Sequence, residues 1–413
     1  MNFREQFYYP TDSIYVDSAA TTQILKKAAE AQFTYLENGR GTLGRGVGPL
    51  SKKCEALFKN IKQKIASYYQ IKSNQLILTK NATESLNLAV LNLVENLQAG
   101  DKILISSLCH NGAILPLIKM TQQKNIELII IPHTKDYIDD VVFIDKYLND
   151  KAVRAVVFNQ IANATGIVSD VERILSTIKK HNKNRSSESK IHSLLDYSSA
   201  MLMGMPNKKL IDQADFIILS FHKVYGSSLG GVVIGRKFLD ENDVQPLLYG
   251  GGMVHELHLD KDVKKSLVSD EERQFMAGVF DLSALVGTEV ALQWLVENQV
   301  EHDQHIRGLT NYLYDGLINI NGITILGSKE NRFSVVAFHH RDYSATDIGL
   351  VLAQSGIDLR VGKHCSDLFF NQKNIPEIVR ISLAAYNTKE EVEQILEIIK
   401  NLPQKLWSQV SKS

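Results

Sequence analysis

The sequence predicts an α/β protein with a mostly parallel sheet of seven strands, followed by a smaller α+β region. Between about Gln75 and Arg236, short apolar runs alternate with amphipathic stretches of helical length, which is the pattern of βαβ units. Seven such apolar runs occur in this part of the chain. With 413 residues, the chain is also long enough to divide into two domains.

The predicted strands follow one another in a regular order. Four apolar runs are each followed by a helical stretch: QLILT, KILISS, ELIIIP and RAVVFNQ. Three more follow at shorter separations, IHSLLDY, ADFIILSF and GGVVIG, and their nearly apolar composition predicts strands that are buried on both faces. Ligands of open α/β sheets bind beyond the carboxyl ends of the strands, so the residues just after these runs are the first site candidates.

The remainder of the chain predicts a second domain. Leu282 to Ile318 is long helical sequence, and helices are also predicted around Ala345–Gln354 and Lys389–Asn401. Four segments predict strands: GITIL, RFSVVAFHH, LRVG and VRISLAAY. We predict a large domain over residues 14–280 and a small domain over residues 281–413, with the N-terminal segment 1–13 packed on the small domain.

Composition and charge exclude several classes of function. The 46 basic and 46 acidic residues balance, so no long-range field favours nucleic acid or an anionic membrane. No apolar stretch approaches about 18 residues and no secretory signal is present, so we expect a cytoplasmic protein without membrane or nucleic-acid partners. The cysteines, Cys54, Cys109 and Cys365, are scattered, and His255-Glu256-Leu257-His258 lacks the HExxH spacing, so we expect no metal.

Two residues at strand ends indicate cofactor chemistry. Asp196 ends the run IHSLLD and Lys223 ends ILSFHK. An acid and an amine at two strand ends suit pyridoxal 5′-phosphate (PLP), whose pyridinium nitrogen pairs with a carboxylate and whose aldehyde reacts with an amine. If the pair is considered alone, the alternative to a cofactor site is that Asp196 opens a turn and Lys223 is a solvated lysine.

The surrounding segments support the cofactor interpretation. Residues 220–226, SFHKVYG, followed by GGV at 230–232, resemble the Schiff-base motif of the class V aminotransferase family, in particular its cysteine desulfurase and selenocysteine lyase branch. Other segments resemble that family in the same order: IYVDSAATTQ, LTKNATESLNL, LCHNGAILP, NATG, LLDYSSA, YGGGM, LRVGKHC and VRISLAAYNT. The resemblance covers residues 14 to 400. It implies the aspartate-aminotransferase fold, PLP fold type I, with PLP held by Lys223 as a Schiff base.

By position, the resemblance implies a phosphate cradle with two sides. Asn81, Ala82 and Thr83 would bind the cofactor phosphate at a helix start, where free backbone N–H groups and the helix dipole favour an anion. Ser220 and His222 would complete the cradle from the other side. A plain N-cap is the alternative for Thr83, and the two roles are compatible because they use the same donors.

The resemblance also assigns residues to the ring and the substrate. Asp196 would pair with the pyridinium nitrogen, His110 would stack on the ring, and Asn163 would lie near the ring hydroxyl and the substrate. Arg380 would bind the substrate carboxylate, because a guanidinium fork matches a carboxylate bidentately, and Arg360 would lie close by. Without the resemblance, the alternatives are a histidine at a strand-to-helix junction for His110, an asparagine in a turn for Asn163 and surface positions for the two arginines.

The assignment of a particular reaction depends on Cys365. It ends an Arg-x-Gly-x-His-Cys pattern that is shared with the desulfurase branch, which implies a nucleophile that carries sulfur as a persulfide. A thiolate is a nucleophile only if its pKa is brought down, and Arg360, Lys363 and His364 could do this electrostatically. The alternative, a small buried hydrophobe, is expected for the other two cysteines.

Four positions depart from the family. Ser199 stands where desulfurases usually place a glutamine that hydrogen-bonds the ring oxygen, so that bond is lost or passes through water. Val279 replaces a threonine that commonly reaches the phosphate of the other subunit. Asn111 and Ala113 differ from the usual pair after the stacking histidine. These departures bear on the substrate more than on the cofactor.

We expect a cysteine desulfurase-like enzyme that converts cysteine or selenocysteine to alanine. Lys223, once free, would remove the substrate α-proton, and Cys365 would take the sulfur. The resemblance implies a homodimer with sites at the subunit interface and a sulfur-acceptor protein as a further partner. Two alternatives stay open: another class V reaction on a different amino acid (β-elimination, transamination or epimerisation), and a weakly active PLP protein with a binding or regulatory role.

Overall fold

The computed structural model describes residues 3–44, 46–257, 267–269, 274–373 and 375–402 of the chain. His258, the last residue of the His-Glu-Leu-His segment, lies outside these residues. The N-terminal part contains a short strand, β1 (Ile14–Tyr15), and two helices, α1 (Lys26–Glu37) and α2 (Pro49–Tyr68). Proline is favourable at the start of α2, because the first helical position needs no N–H donor.

A seven-stranded sheet forms the centre of the next part. Its strands are β2 (Leu76–Thr79), β3 (Lys102–Ser106), β4 (Glu127–Ile131), β5 (Val153–Asn159), β6 (His192–Asp196), β7 (Phe216–Ser220) and β8 (Gly230–Ile234). Their order across the sheet is β2-β8-β7-β6-β5-β3-β4. β8 runs antiparallel to both of its neighbours, and the remaining neighbours pair in parallel. The prediction of a mostly parallel sheet of seven strands is confirmed.

Helices connect these strands and cover the sheet. They are α3 (Ala82–Glu95), α4 (Asn111–Lys124), α5 (Val141–Tyr147), α6 (Val171–Asn182), α7 (Lys208–Gln213) and α8 (Arg236–Glu241). Successive strand side chains enter opposite apolar clusters, as Leu194 and Leu195 of β6 do. Burial on both faces explains why the central strands are almost entirely apolar.

The C-terminal part begins with an antiparallel strand pair and two long helices. The elements are β9 (Val254–Leu257), β10 (Leu267–Ser269), α9 (Leu282–Glu297), α10 (Gln299–Ile318), β11 (Ile323–Ile325), β12 (Val335–His340), α11 (Ala345–Gln354), β13 (Ile357–Asp358), β14 (Arg360–Gly362), α12 (Asp367–Lys373), β15 (Ile378–Ser382) and α13 (Lys389–Lys400). An antiparallel sheet has the order β11-β12-β15-β14, and β1 pairs in parallel with β13. The predicted long helical stretch is two helices that meet at Asn298.

Helix α9 and the N-terminal segment contact both parts of the chain. Apolar side chains of α9 share a core with α1 and α2, whereas α10 contributes Leu309, Leu313 and Leu317 to the core beside the second sheet. Phe7 packs against Trp294 of α9, and Arg4 forms an ion pair with Glu391 of α13. The domain boundary after residue 280 stays a prediction. No helix in the described ranges has the length and apolarity needed to cross a membrane.

Candidate active site

The ends of β6 and β7 bring Asp196 and Lys223 to one edge of the sheet. Asp196 is the last residue of β6, and Lys223 ends a short 3₁₀ turn directly after β7. The two strands are parallel neighbours, so their carboxyl ends meet. The Ser198 N–H donates a hydrogen bond of 2.9 Å to Asp196 Oδ1, which orients the buried carboxylate.

The amine of Lys223 is suited to nucleophilic and base chemistry. Burial lowers the pKa of Lys223 from 10.5 to about 8, while the charge of Asp196 opposes this shift. A substantial fraction of the amine is therefore neutral near physiological pH, as attack on an aldehyde requires. Lys223 Nζ donates a hydrogen bond to Ser199 Oγ at 3.2 Å. The serine that departs from the family thus contacts the lysine.

His110 lies at the start of α4 in a fixed orientation. The Gly112 N–H donates to His110 Nδ1 at 2.9 Å, so the neutral ring carries its proton on Nε2. Burial and the charge of Lys223 lower the pKa of His110 below its usual value of 6.5, although Asp196 acts in the opposite direction. The structure therefore provides a neutral imidazole within the electrostatic influence of Lys223 and Asp196.

The predicted phosphate residues lie around Gly230. Asn81 caps α3 through a 2.9 Å bond from Glu84 N–H to its Oδ1, and Ala82 and Thr83 begin the helix, where backbone N–H groups lack intrahelical acceptors. Gly230 pairs with Ser220 of β7, and a Cβ on Gly230 would lie 2.4 Å from the carbonyl carbon of Asn81. Ser220 and the start of α3 thus approach each other closely.

The donors of this region fit an anionic group. Ser220 is fully buried, and its Oγ has no hydrogen-bond partner among the described residues. His222 bonds Thr21 Oγ1 through Nδ1 at 3.2 Å, and burial together with Lys223 lowers its pKa to about 4. An unpartnered buried hydroxyl beside a helix start is the arrangement that a phosphate would complete.

Two arginines lie opposite each other on β14 and β15 and share one acid. Arg360 and Arg380 are paired in register, and Arg380 is only 2% exposed. Arg380 Nη2 donates to Asp17 Oδ1 at 2.6 Å, and Arg360 Nη2 lies 3.0 Å from Asp17 Oδ2. Arg380 Nη1 bonds the Asn163 carbonyl at 3.1 Å, while its Nε has no partner among the described residues. Arg380 therefore retains donors for a carboxylate.

Sequence reasoning missed Asp17. It lies in the segment IYVDSAATTQ, which by itself indicates only the family resemblance. A polar residue directly after an apolar run at the start of the chain was the available signal. Its partners are more than 340 residues away, so nothing local predicted the ion pairs.

Cys365 is exposed on a tight turn, whereas Cys54 and Cys109 are buried as expected. The Ser366 N–H bonds the Lys363 carbonyl at 3.0 Å, and the two central residues, His364 and Cys365, have φ angles of 52° and 55°. Both are left-handed, as in a type I′ turn, although neither is glycine.

The side chain of Asn163 holds this turn. Asn163 Nδ2 donates to the His364 carbonyl at 2.7 Å, and Ser366 Oγ donates to Asn163 Oδ1 at 3.0 Å. The Asn111 N–H bonds the Cys365 carbonyl at 2.8 Å. The cysteine loop is therefore tied to the segment that carries His110. The contact from Asn111 is made by its backbone N–H, so it does not depend on the side chain that departs from the family.

One expectation about the thiol needs correction. Burial, together with Arg380, lowers the pKa of His364 to about 3, so its ring is uncharged at neutral pH. His364 therefore cannot lower the pKa of Cys365 through a positive charge. A lone imidazolium beside a cysteine is a common activating arrangement, but here the ring is buried with neighbouring arginines.

Four of the predicted residues lie close together, since the charges of Lys223, Asp196, Arg380 and Arg360 influence one another. Val279, which the resemblance places near the phosphate of the other subunit, is 89% exposed and lines a cavity of about 420 Å³ with Arg40 and Phe280. Within the described part of the chain, no group of three or more His, Cys, Asp or Glu side chains could hold a metal ion.

The fold and this site define an enzyme of the PLP-dependent class, fold type I. The family model for aminotransferase class-V matches residues 14–395. The chain therefore belongs to the class V aminotransferase family, and the sequence-based resemblance is confirmed.

Curated relatives extend over most of the chain. Proteins named cysteine desulfurase from Serratia proteamaculans and Wigglesworthia glossinidia brevipalpis are 26% and 27% identical to it, over 92% and 93% of this chain and 91% of each relative.

Solved structures of cysteine desulfurases have the same fold as this chain. The apo cysteine desulfurase from Thermococcus onnurineus NA1 superposes with a TM-score of 0.87 at 25% identity, over 97% of this chain and 96% of that one. A cysteine desulfurase from Escherichia coli, with a TM-score of 0.85 at 24% identity, covers 97% of this chain and 98% of its own and shows the same fold.

Proposed function

We propose that the protein is a cysteine desulfurase that converts L-cysteine, or selenocysteine, to L-alanine and transfers the sulfur or selenium to Cys365. The observation that carries this proposal is the exposed Cys365, on a turn that hydrogen bonds tie to Asn163 and Asn111 beside the lysine site. The similarity to proteins named cysteine desulfurase supports the same activity.

The residues present fit PLP. Lys223 would hold its aldehyde, Asp196 its ring nitrogen, and the N–H groups of Ala82 and Thr83 with the Ser220 hydroxyl its phosphate. His110 would lie against the ring, and His222 would complete the phosphate side. When bound, PLP withdraws electrons from the substrate α-carbon.

The side chains of this protein then supply binding and proton transfer. Arg380 binds the substrate carboxylate through its unpartnered Nε and its remaining Nη hydrogens. Asn163, whose carbonyl holds Arg380, keeps that guanidinium in place. Lys223 takes the α-proton, because its pKa of about 8 leaves a neutral amine available near neutral pH.

The sulfur transfer is balanced without an outside oxidant. The Cys365 thiolate attacks the substrate sulfur, so that an S–S bond forms as the substrate Cβ–S bond breaks. The electron pair of the broken bond stays on the substrate carbon, which is protonated to give alanine. The enzyme retains a persulfide, which a sulfur-acceptor protein would remove.

Ser199 favours a second candidate function. Its hydroxyl accepts the Lys223 bond where the resemblance implies a glutamine on the ring oxygen, so bound PLP would lack that glutamine hydrogen bond. A different class V reaction on another amino acid would then apply, such as β-elimination, transamination or epimerisation. Pyruvate and ammonia in place of alanine would identify elimination, and retained PLP without turnover of any amino acid would indicate a binding or regulatory role.

We further propose a cytoplasmic homodimer. The family resemblance, which implies a homodimer with sites at the subunit interface, supports this proposal. Sedimentation at micromolar concentration tests the dimer, and a monomer would contradict it.

The desulfurase proposal is tested with the purified protein, PLP and cysteine. We expect alanine to form and one sulfur atom to be added to Cys365, as read by mass spectrometry of the intact protein and its peptides. Cys365→Ala should retain the visible absorbance of bound PLP and lose sulfide release with dithiothreitol. Cys54→Ala, which removes a buried thiol elsewhere, is the matched control. Sustained desulfuration by Cys365→Ala would refute the role of this cysteine.

A further inference from the structure

We propose that His302 is a positioning residue, which holds the side chain of Tyr225 and thereby fixes the place of the Lys223 amine. His302 lies on α10, a helix that carries none of the predicted site residues. The proposal rests on the proposed function in one respect, because it takes Lys223 to be the reacting amine.

The turn that carries Lys223 continues into a strained residue. Tyr225, two residues later, has a φ angle of 66°, and the left-handed region is unfavourable for a bulky side chain. The Tyr225 N–H donates to Thr22 Oγ1 at 2.8 Å, and the next N–H, that of Gly226, donates to the Phe221 carbonyl at 3.2 Å. The backbone on both sides of Lys223 is therefore tied to the conformation of Tyr225.

The hydroxyl of Tyr225 joins three parts of the fold. The side chain is fully buried, and the Ala385 N–H, which follows β15, donates to the hydroxyl oxygen at 3.0 Å. The same oxygen lies 2.6 Å from His302 Nε2. A phenol can accept and donate at once, so the hydrogen of Tyr225 is available to His302.

The protonation state of His302 matches this role. Burial, with a smaller contribution from His305, lowers the pKa of His302 to about 3, so the ring is neutral. In a neutral ring that accepts through Nε2, the proton is on Nδ1. This Nδ1 has no hydrogen-bond partner among the described residues, and a buried donor without a partner is costly. An apolar side chain would avoid that cost, so the acceptor for Tyr225 is what a histidine contributes here.

Loss of this acceptor should loosen the lysine turn. The Tyr225 hydroxyl would become a buried donor without an acceptor, which favours movement of the ring and relaxation of the strained backbone. Water would then reach the Lys223 amine more easily, and burial is the main cause of its lowered pKa. The ionisable groups that face the amine would all remain: Asp196, Asp17, Arg380, Arg360, His110 and His222.

Reductive methylation of the full-length, PLP-free protein tests the proposal without turnover. Formaldehyde with a mild borane reductant modifies only neutral amines, so the pH of half-maximal modification of the Lys223 peptide, read by mass spectrometry, reports the protonation of that amine. For the unaltered protein we expect this midpoint near pH 8. In His302→Leu it should be about one pH unit higher, which is about tenfold tighter binding of the proton. His302→Gln retains an acceptor oxygen and should restore the original midpoint.

His305→Leu is the matched control. His305 lies one turn further along α10, and its Nε2 donates to the Asn387 carbonyl at 3.0 Å, so its loss should leave the midpoint unchanged. Tyr225→Phe, which keeps the ring and removes the hydroxyl, replaces His302→Leu if that variant does not fold, and it should raise the midpoint by a similar amount. A lowered melting temperature with an unchanged midpoint in either variant, or an equal rise in His305→Leu, would overturn the proposal.

Alanine formation by the unaltered protein distinguishes this proposal from the proposed function. Alanine together with a midpoint that does not move in His302→Leu rejects only the role of His302. A raised midpoint in His302→Leu without alanine from the unaltered protein supports the role of His302 and rejects only the desulfurase function.

Discussion

The turn that presents Cys365 depends on the side chain of Asn163. Asn163→Ala removes the bond to the His364 carbonyl and the bond from Ser366 Oγ. It leaves the backbone bond from Asn111 N–H to the Cys365 carbonyl in place. The substitution therefore isolates what the amide contributes to the cysteine turn.

The magnitude follows from the backbone and from the lost bonds. Two consecutive non-glycine residues in the left-handed region cost about 1–2 kcal/mol each, so the turn needs compensating interactions. Each of the two bonds contributes about 1 kcal/mol net. Asn163→Ala should therefore destabilise the closed turn by about 2 kcal/mol, which is roughly a 30-fold change in its population.

Amide hydrogen exchange measures this change directly. The Ser366 N–H is protected by its bond to the Lys363 carbonyl, so its exchange should become about 30-fold faster in Asn163→Ala. Ser366→Ala removes one of the two bonds without altering Asn163 and should give about a fivefold effect. Alanine formation should fall in the same order. Exchange that stays unchanged in both variants would refute the reasoning, because other contacts would then suffice to hold the turn.

Two further predictions concern the cofactor site. Because burial lowers the pKa of Lys223 to about 8, PLP uptake by PLP-free protein, followed by absorbance, should accelerate with pH, with a midpoint near pH 8 and a plateau about one unit higher, where most of the amine is neutral. Acceleration that continues toward pH 10.5 would contradict the shifted pKa. Gly230→Ala should destabilise the fold by about 2 kcal/mol and weaken PLP binding, because a Cβ there meets the Asn81 backbone. Gly231→Ala is the control and should do neither, since a Cβ at that position has its nearest contacts at 3.4 Å or more. Equal melting temperatures for the two variants would contradict this prediction.

The strands of the central sheet were predictable because burial on both faces demands apolar residues along their whole length. A strand buried on both faces is visible in the sequence as a short apolar run. The runs that end at Asp196 and just before Lys223 therefore indicated the two site residues from the sequence alone. The long helical stretch was harder to divide, because α9 and α10 join at Asn298 without a proline or glycine to mark the break.

The cysteine turn illustrates what the sequence does not signal. Turn positions with left-handed backbone are usually occupied by glycine or asparagine, but here they are occupied by His364 and Cys365. The turn is held by Asn163 and Asn111, which are about 200 and 250 residues away along the chain. The charge state of His364 likewise follows from its burial, which a sequence pattern does not contain.

By itself, the sequence determined the seven-stranded α/β sheet, the Asp196–Lys223 pair and the family, because each depends on short segments whose residues are neighbours in the chain. Tertiary structure alone decided that Asp17 joins Arg360 and Arg380, that Ser199 contacts Lys223, and that Asn163 holds the cysteine turn. The physical reason is that ion pairs, hydrogen bonds and burial depend on distances in space, and the fold brings these partners together from distant parts of the chain.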